Sequence, residues 1–195
     1  MFRKILIILF KTKFVFTRPT KKKFLFIDFT HCEIIIKKFN LKEKDFNILF
    51  SRLEKINIPI LIKSILKNNL NVNFANYCYE YLKITKPKKV ITFIDNNILF
   101  YKLKKKFPST KFISVQNGHR TQYRDFFSIL EKNKHLNLEC DKIFIANLGF
   151  GKMIKKFIKC EVVPLGFFKN NFVKLKKQKT LKKSLLFLSQ FRENQ

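Results

Sequence analysis

The chain has 195 residues, enough for one domain and a short continuation, and its 46% of apolar residues exclude a compositionally disordered protein. Lysine and arginine outnumber aspartate and glutamate by 42 to 13, a net charge of +29 that would by itself indicate nucleic acid or an anionic membrane as a partner. Residues with AT-rich codons (Phe, Ile, Lys, Asn) are enriched together while Ala, Gly and Trp are scarce, so we attribute most of this charge to nucleotide bias.

The first half of the chain combines short apolar runs with helical patterns. Residues 5–10 form an apolar run that is too short to span a bilayer and is followed by Lys11 and Lys13, which favours a strand or an interfacial anchor over a signal peptide. Residues 23–28 predict a strand that ends in Asp28. The spacing of apolar residues then predicts three helices, over 45–54, 60–66 and 71–85.

The second half alternates strands with helices or long loops. Strands are predicted over 89–94, 111–115, 141–146 and 160–163, with helices over 98–107 and 152–159 and a Gly149-Phe150-Gly151 turn before the second helix. Strands without polar alternation are typical of a parallel sheet covered on both faces. The fold class is therefore predicted as α/β, a Rossmann-like parallel sheet flanked by helices, with a helical insertion between its first strands. We expect the phenylalanines to lie in the core.

Composition also predicts the domain boundaries. Residues 1–168 form the Rossmann-like domain. Residues 169–183 are rich in Lys, Asn and Gln and predict a basic linker. Residues 184–195 begin with an apolar run that predicts a further strand, the start of a second domain.

Polar or small residues follow three of the predicted strands. They are Asp95, Asn96 and Asn97 after the first, Gln116, Asn117, Gly118, His119 and Arg120 after the second, and residues 147–151, including Gly149 and Gly151, after the third. In a parallel sheet these loops share one edge, where ligands bind. Helix amino termini at that edge suit phosphate or carboxylate, so we predict an anion site at Gly149 and Gly151, with Arg120 and Arg124 able to add bidentate contacts.

Each of these residues also has a simpler interpretation. Asp95 can serve only as a helix N-cap, and Asn117-Gly118 can be only a turn. His119 has no histidine or carboxylate at a diagnostic spacing, which makes a catalytic role a weak inference, and His31 and His135 are weaker still. The pattern around Gly149 falls short of G-x-G-x-x-G, which argues against a nicotinamide cofactor, and the chain contains no P-loop, G-x-S-x-G or H-E-x-x-H motif.

The cysteines give no sign of a metal site. Cys32, Cys78, Cys140 and Cys160 form no C-x-x-C pair, and no histidine stands at metal-ligand spacing. We expect each thiol to pack as a small apolar side chain, and we expect neither a metal nor a cofactor.

Several short motifs carry a family resemblance. They are T-F-I-D-N-N at 92–97, F-Y-K-L at 100–103, I-S-V-Q-N-G at 113–118, P-L-G at 164–166 and L-F-L-S-Q-F-R-E at 186–193. With these motifs the chain resembles bacterial surface-carbohydrate biosynthesis proteins, transferases of the glycosyltransferase-B type that are distantly similar to the CDP-glycerol glycerophosphotransferase family.

The resemblance implies a function and a separate role for each of two domains. Two Rossmann-like domains would face each other across a cleft, and the carboxyl-terminal one would bind a nucleotide-activated donor. Residues 184–195 would then be only the start of that domain, so the donor-binding part is expected to be missing and independent transfer is doubtful. Asp95 and Gln116 to Arg120 would line the cleft, with Arg120 on an anionic group and His119 as general base. The acceptor would be a carbohydrate or a lipid-linked molecule. The protein would be cytoplasmic and able to associate with the inner face of the membrane.

Two other hypotheses stay open. The chain can be a non-catalytic binding module that docks on a separately encoded partner domain. It can also be a basic nucleic-acid-binding protein, although only its charge supports this, and no specific nucleic acid is expected.

Overall fold

The computed structural model describes residues 12–52, 54–71, 73–118 and 126–168. Its strands form two parallel sheets, one of six strands in the order β3-β2-β5-β6-β7-β8 and one that pairs β1 with β4. The strands are β1 (Lys13–Val15), β2 (Phe24–Ile27), β3 (Phe46–Leu49), β4 (Lys55–Asn57), β5 (Lys89–Thr92), β6 (Lys111–Val115), β7 (Leu138–Ile145) and β8 (Ile158–Pro164). The predicted α/β class, a Rossmann-like parallel sheet flanked by helices, is confirmed.

The helices of the described residues are short, and several begin at an asparagine cap. They are α1 (Cys32–Lys38), α2 (Ile58–Lys67), α3 (Phe74–Thr85), α4 (Ile98–Lys104), α5 (Phe126–Lys132) and α6 (Leu148–Ile154), with 3₁₀ turns at Glu43–Asp45 and Lys134–Leu136. Asn57, Asn73 and Asn97 each accept a hydrogen bond from a backbone N–H in the first turn that follows. These caps satisfy donors that the helix itself cannot pair.

The strand order reverses beside β2. From β2 the chain first builds β3 on one side and then returns to place β5 on the other, after which β6, β7 and β8 follow in sequence. Such a reversal opens a crevice at the carboxyl ends of the two strands that flank it, which is the usual place for a ligand in an open α/β sheet. Asp28 and the loop after Thr92 lie at this point.

Both faces of the sheet are buried. One face carries a fully buried residue from each of five strands, namely Leu25, Val90, Phe112, Ile143 and Ile158. The other face packs Phe26 and Val115 against Cys32, Phe93 and Phe168. Half of the twelve largest fully buried side chains are aromatic, and five of these are phenylalanines, as predicted, although Phe16, Phe29 and Phe39 are exposed. Cys32, Cys78 and Cys140 are buried and Cys160 is partly so, and burial raises the pKa of the Cys32 thiol to about 12.

Three local predictions were wrong. Residues 45–54 hold the edge strand β3 rather than a helix, so the insertion between the first strands contains β3 and β4 as well as helices. The helix predicted over 98–107 ends at Lys104. The glycines at 149 and 151 do not form a turn, because α6 already begins at Leu148 and ends at Ile154, and the residues after it enter β8.

Other predictions fall on residues outside the described ranges. These are the apolar run over 5–10, the linker over 169–183 and the strand after it. The domain boundary proposed at residue 168 therefore stays a prediction.

Candidate functional site

Two of the predicted loops meet at the carboxyl edge of the sheet. Asp95 is fully buried, and its carboxylate accepts a hydrogen bond from the backbone N–H of Asn117 at 3.3 Å. The loop after β5 is thereby joined to the loop after β6. The helix that follows β5 is capped by Asn97, whose Oδ1 accepts the N–H of Leu99 at 3.1 Å. Asp95 is therefore not the cap, and the simpler interpretation of this residue is wrong.

A buried tyrosine holds the same loop through a hydrogen bond to its backbone. The Tyr101 hydroxyl donates to the backbone carbonyl of Asp95 at 2.7 Å and lies 3.3 Å from the hydroxyl of Ser114. Burial raises the pKa of Tyr101 well above its usual value, so the phenol stays protonated and able to donate. This contact fixes the backbone at the start of the site.

Gln116 has both ends of its side chain engaged. Its Oε1 accepts the N–H of Ala146 at 2.8 Å, and its Nε2 donates to the carbonyl of Gly118 at 2.9 Å. The side chain thus links the ends of β6 and β7 and holds the loop that carries Asn117. Gln116 is 4% exposed, which suits a residue that shapes the site rather than one that reaches into it.

Asn117 has hydrogen-bonding capacity that the described residues do not use. Its Oδ1 is buried and has no hydrogen-bond partner among the described residues. A buried acceptor left unpaired costs about 1–3 kcal/mol, which a ligand donor could offset. The adjacent Gly118 leaves room, because a Cβ built there would have no described atom within 4 Å.

A cavity of about 390 Å³ opens at the same edge of the sheet. Asn96 and Asn97 line it from the loop after β5, and Ser51 and Arg52 line it from the end of β3. Arg52 therefore adds a guanidinium to a cavity whose predicted lining residues, Asn96 and Asn97, carry only amides. The sequence did not indicate this position of Arg52, because residues 45–54 were predicted as a helix and not as a strand of the sheet.

Two further residues of this edge were not predicted as part of the site. The Asp28 carboxylate accepts hydrogen bonds from the backbone N–H and the hydroxyl of Ser51. His31 packs edge-on against Phe93, with ring centroids 6.2 Å apart. Only the strand order, which places β2 beside β5, brings these residues to the reversal point.

The third predicted loop has a clear packing role. Asn147 caps α6 by accepting the N–H of Phe150 at 2.9 Å. Gly151 lies so close to the sheet that a Cβ there would stand 2.6 Å from Ile145 Cδ1 and from Val162 Cγ1. This contact explains the second glycine without a ligand, and anion binding at Gly149 and Gly151 stays a prediction.

Three predicted site residues, His119, Arg120 and Arg124, lie outside the described residues. Within the described ranges no group of three or more His, Cys, Asp or Glu residues could hold a metal ion. A search of the same residues for a helix of sufficient length and hydropathy to cross a bilayer found none.

A larger cavity, of about 490 Å³, lies beside the edge strand β3. Residues from Thr17 to Lys22, residues of β3 and the ends of β1 and β4 line it, together with Phe29 and Phe50. Arg18, Lys22 and Lys55 contribute cations to its lining. None of the predicted site residues reaches it.

Comparison with known protein families gives a match over the second part of the chain. Residues 113–195 match the model of a family described as "putative O-antigen biosynthesis protein". The matched part is less than half of the chain and includes Gln116, Asn117 and Gly118. Searches of curated proteins and of solved structures find no match. The family match supports an association with surface-carbohydrate biosynthesis, at the coarse level that the sequence motifs predicted.

Proposed function

We propose that the chain acts in surface-carbohydrate biosynthesis as the acceptor-side domain of a glycosyltransferase-like enzyme. In this proposal Asp95 to Asn97 and Gln116 to Gly118 form one wall of a cleft between two Rossmann-like domains, as in the glycosyltransferase-B type. The observation that carries the proposal is the buried, unpaired Oδ1 of Asn117 beside open space at Gly118. The family match begins at residue 113 and so includes this loop.

The chemistry of the wall suits a sugar. A carbohydrate presents hydroxyl groups that both donate and accept hydrogen bonds, and the Asn117 carbonyl oxygen needs a donor. The amide of Asn96 can supply further contacts from the cavity at the same edge of the sheet, and Arg52 can bind a phosphate or carboxylate there. We therefore expect an acceptor with free hydroxyls and an anionic group.

The residues that follow Gly118 would supply the reactive groups. We propose His119 as the general base that removes the proton of the acceptor hydroxyl, and Arg120 with Arg124 as contacts to phosphate. The donor would be a nucleotide-activated sugar held by the second domain. The resemblance supports the roles of His119 and Arg120, which follow Gly118 in the sequence, and Arg124 is added because its guanidinium suits an anion.

Binding is the first test. The full chain would be titrated with a panel of sugars, sugar phosphates and nucleotide sugars, with affinity measured by calorimetry. Asn117→Ala and Gly118→Val should each weaken the ligand that binds by about tenfold, which is about 1.4 kcal/mol. Asn71→Ala, an exposed asparagine outside the loop, is the matched control. Equal affinity in all four proteins, or no binding of any ligand, would overturn the site.

Transfer is the second test. The full chain, alone and with a nucleotide-sugar-binding domain of a related transferase, would be assayed for sugar transfer to the ligand that binds. His119→Ala should lower kcat by about 100-fold or more, while His135→Ala, at an exposed 3₁₀ turn, should leave it unchanged. His31→Ala should be included, since His31 lies at the strand-order reversal. If kcat survives His119→Ala but not His31→Ala, the general base is misassigned.

One observation favours a second candidate, a non-catalytic binding module. The carboxylate within the described wall, Asp95, is fully buried and accepts the Asn117 N–H, which makes it a structural group. A module of this kind would bind the acceptor and show no transfer with any donor domain. The two assays separate the candidates, because the enzyme hypothesis requires both binding and transfer.

A further inference from the structure

Helix α2 has apolar side chains on its exposed side as well as on its buried side. Ile60 and Ser64 are buried against the rest of the molecule. On the opposite side Ile62 is 52% exposed and Leu66 is 68% exposed, and Leu70, just beyond the helix, is 72% exposed. Ile62 and Leu66 lie about one turn apart on α2, and Leu70 follows the end of the helix, where its φ of 62° departs from helical geometry. We call these three residues the α2 stripe.

The stripe differs from ordinary exposed apolar residues. A helix on the surface of a soluble domain usually turns polar side chains outward, and a helix that is apolar all round is usually covered. Single exposed leucines are common, but a contiguous row marks an interaction surface. We therefore expect the α2 stripe to have a partner.

The charges around the stripe decide which partner it is. From Ile58 to Tyr79, the stretch that contains α2, the sequence has two lysines, Lys63 and Lys67, and no acidic residue. The first acid beyond them is Glu80, which is 3% exposed and lies 3.5 Å from Lys63 and 3.7 Å from Lys67. One buried carboxylate thus faces two lysines, and the surface beside the stripe is left positive.

We propose that the α2 stripe docks on an anionic lipid surface, with Ile62, Leu66 and Leu70 in the headgroup boundary and Lys63 and Lys67 toward lipid phosphates. Amphipathic helices with lysine beside an apolar face bind membranes in this way, without spanning them. A second copy of the chain is a poor occupant, because each copy carries a net charge of +29. The proposal stands independently of the sugar-binding site.

The absence of tryptophan from the sequence allows a direct test. A Leu66→Trp variant places a single indole on the stripe. Its emission should shift to shorter wavelength when vesicles containing phosphatidylglycerol are added, and vesicles of phosphatidylcholine alone should have little effect. High salt should reverse the shift. Phe39→Trp is the matched control, since Phe39 is 67% exposed and follows Lys37 and Lys38 but is not part of a row.

The other occupants give different outcomes. A short-wavelength emission of Leu66→Trp without vesicles would overturn the proposal: if it depends on protein concentration, a second copy covers the stripe, and if it does not, another segment of the chain does. An unchanged emission on adding anionic vesicles, or an equal shift at position 39, would also overturn it.

A substitution that leaves the interior intact gives the second readout. Ile62→Ser with Leu66→Ser removes apolar surface only from the exposed side of α2, so the melting temperature should stay close to that of the parent. Sedimentation with anionic vesicles should fall by about tenfold or more, because the buried apolar area determines much of interfacial binding. Unreduced sedimentation of the folded double variant would contradict the proposal, and loss of sugar binding would not bear on it.

Discussion

Gly151 and Gly118 stand at opposite extremes of local packing. A methyl group at 151 would lie 2.6 Å from two side chains of β7 and β8, whereas at 118 it would meet no described atom within 4 Å. We predict that Gly151→Ala destabilises the protein by about 1–2 kcal/mol, since overpacking costs more than alanine gains in a helix. Gly118→Ala should stay within about 0.5 kcal/mol of the parent. Urea unfolding of the two variants gives the comparison, and equal stabilities would contradict the assigned packing role.

Tyr101 is the buried support of the Asp95 loop. Removing its hydroxyl leaves the Asp95 carbonyl and the Ser114 hydroxyl without this partner. Tyr101→Phe should therefore cost about 1–3 kcal/mol in the free energy of unfolding and weaken ligand binding at Asn117. Tyr79→Phe is the control, because Tyr79 packs its ring on Phe107 and its hydroxyl makes no hydrogen bond within the described ranges. A loss as large in Tyr79→Phe would show that the hydroxyl contacts are not the cause.

At the scale of elements, Asp141 joins β7 to β6 and α4. Its carboxylate accepts the N–H of Phe112 at 2.7 Å and lies 2.9 Å from Lys104 Nζ and 3.2 Å from Lys111 Nζ. Burial by itself would raise the pKa of Asp141, but the Phe112 hydrogen bond and the two lysines outweigh it and hold the pKa below its usual value. This carboxylate should therefore stabilise the fold in its ionised form.

The sign of that pKa shift sets the pH dependence. A carboxyl with a lowered pKa in the folded state stabilises the protein fully above the unfolded-state value, near 4, and less as pH falls through the folded-state pKa. We predict that Asp141→Asn costs about 1–3 kcal/mol at neutral pH and that the difference from the parent shrinks below about pH 4. Chemical unfolding across this range measures it. A difference that stays constant down to pH 3 would mean that the charge is not responsible.

The elements also show what local sequence can determine. Strand β6 and helix α3 were predicted closely because their apolar patterns are unambiguous and Pro87 and Pro108 stand nearby. Strand β3 was not, because Phe46, Leu49 and Phe50 fit a helix face as well as a strand, and only its pairing with β2, over twenty residues away in sequence, decides between them. The Asn117 loop could be predicted because polar residues follow a strand in the sequence. The positions of Arg52 and His31 at the same edge could be known only from the order of the strands in the sheet.

At the scale of the whole molecule, the excess of positive charge has a thermodynamic consequence. The described ion pairs involve few lysines, with Asp141 and Glu80 each shared by two of them. The net charge of +29 leaves many positive side chains without an acidic counterpart in the chain, and the compact state brings these like charges together. This repulsion acts over a distance that salt shortens to about 8 Å at physiological ionic strength.

We therefore predict that sodium chloride stabilises the folded chain. Raising the salt from low to physiological concentration should increase Tm by roughly 3–6 °C, which corresponds to about 1–2 kcal/mol for a domain of this size. Calorimetry in sodium chloride and in sucrose of matched osmolality separates screening from solute exclusion, because sucrose cannot screen charge. Equal rises in the two solutes would attribute the effect to exclusion. A Tm that falls or stays level in salt would mean that local ion pairs, rather than the net charge, dominate the electrostatic free energy of the fold.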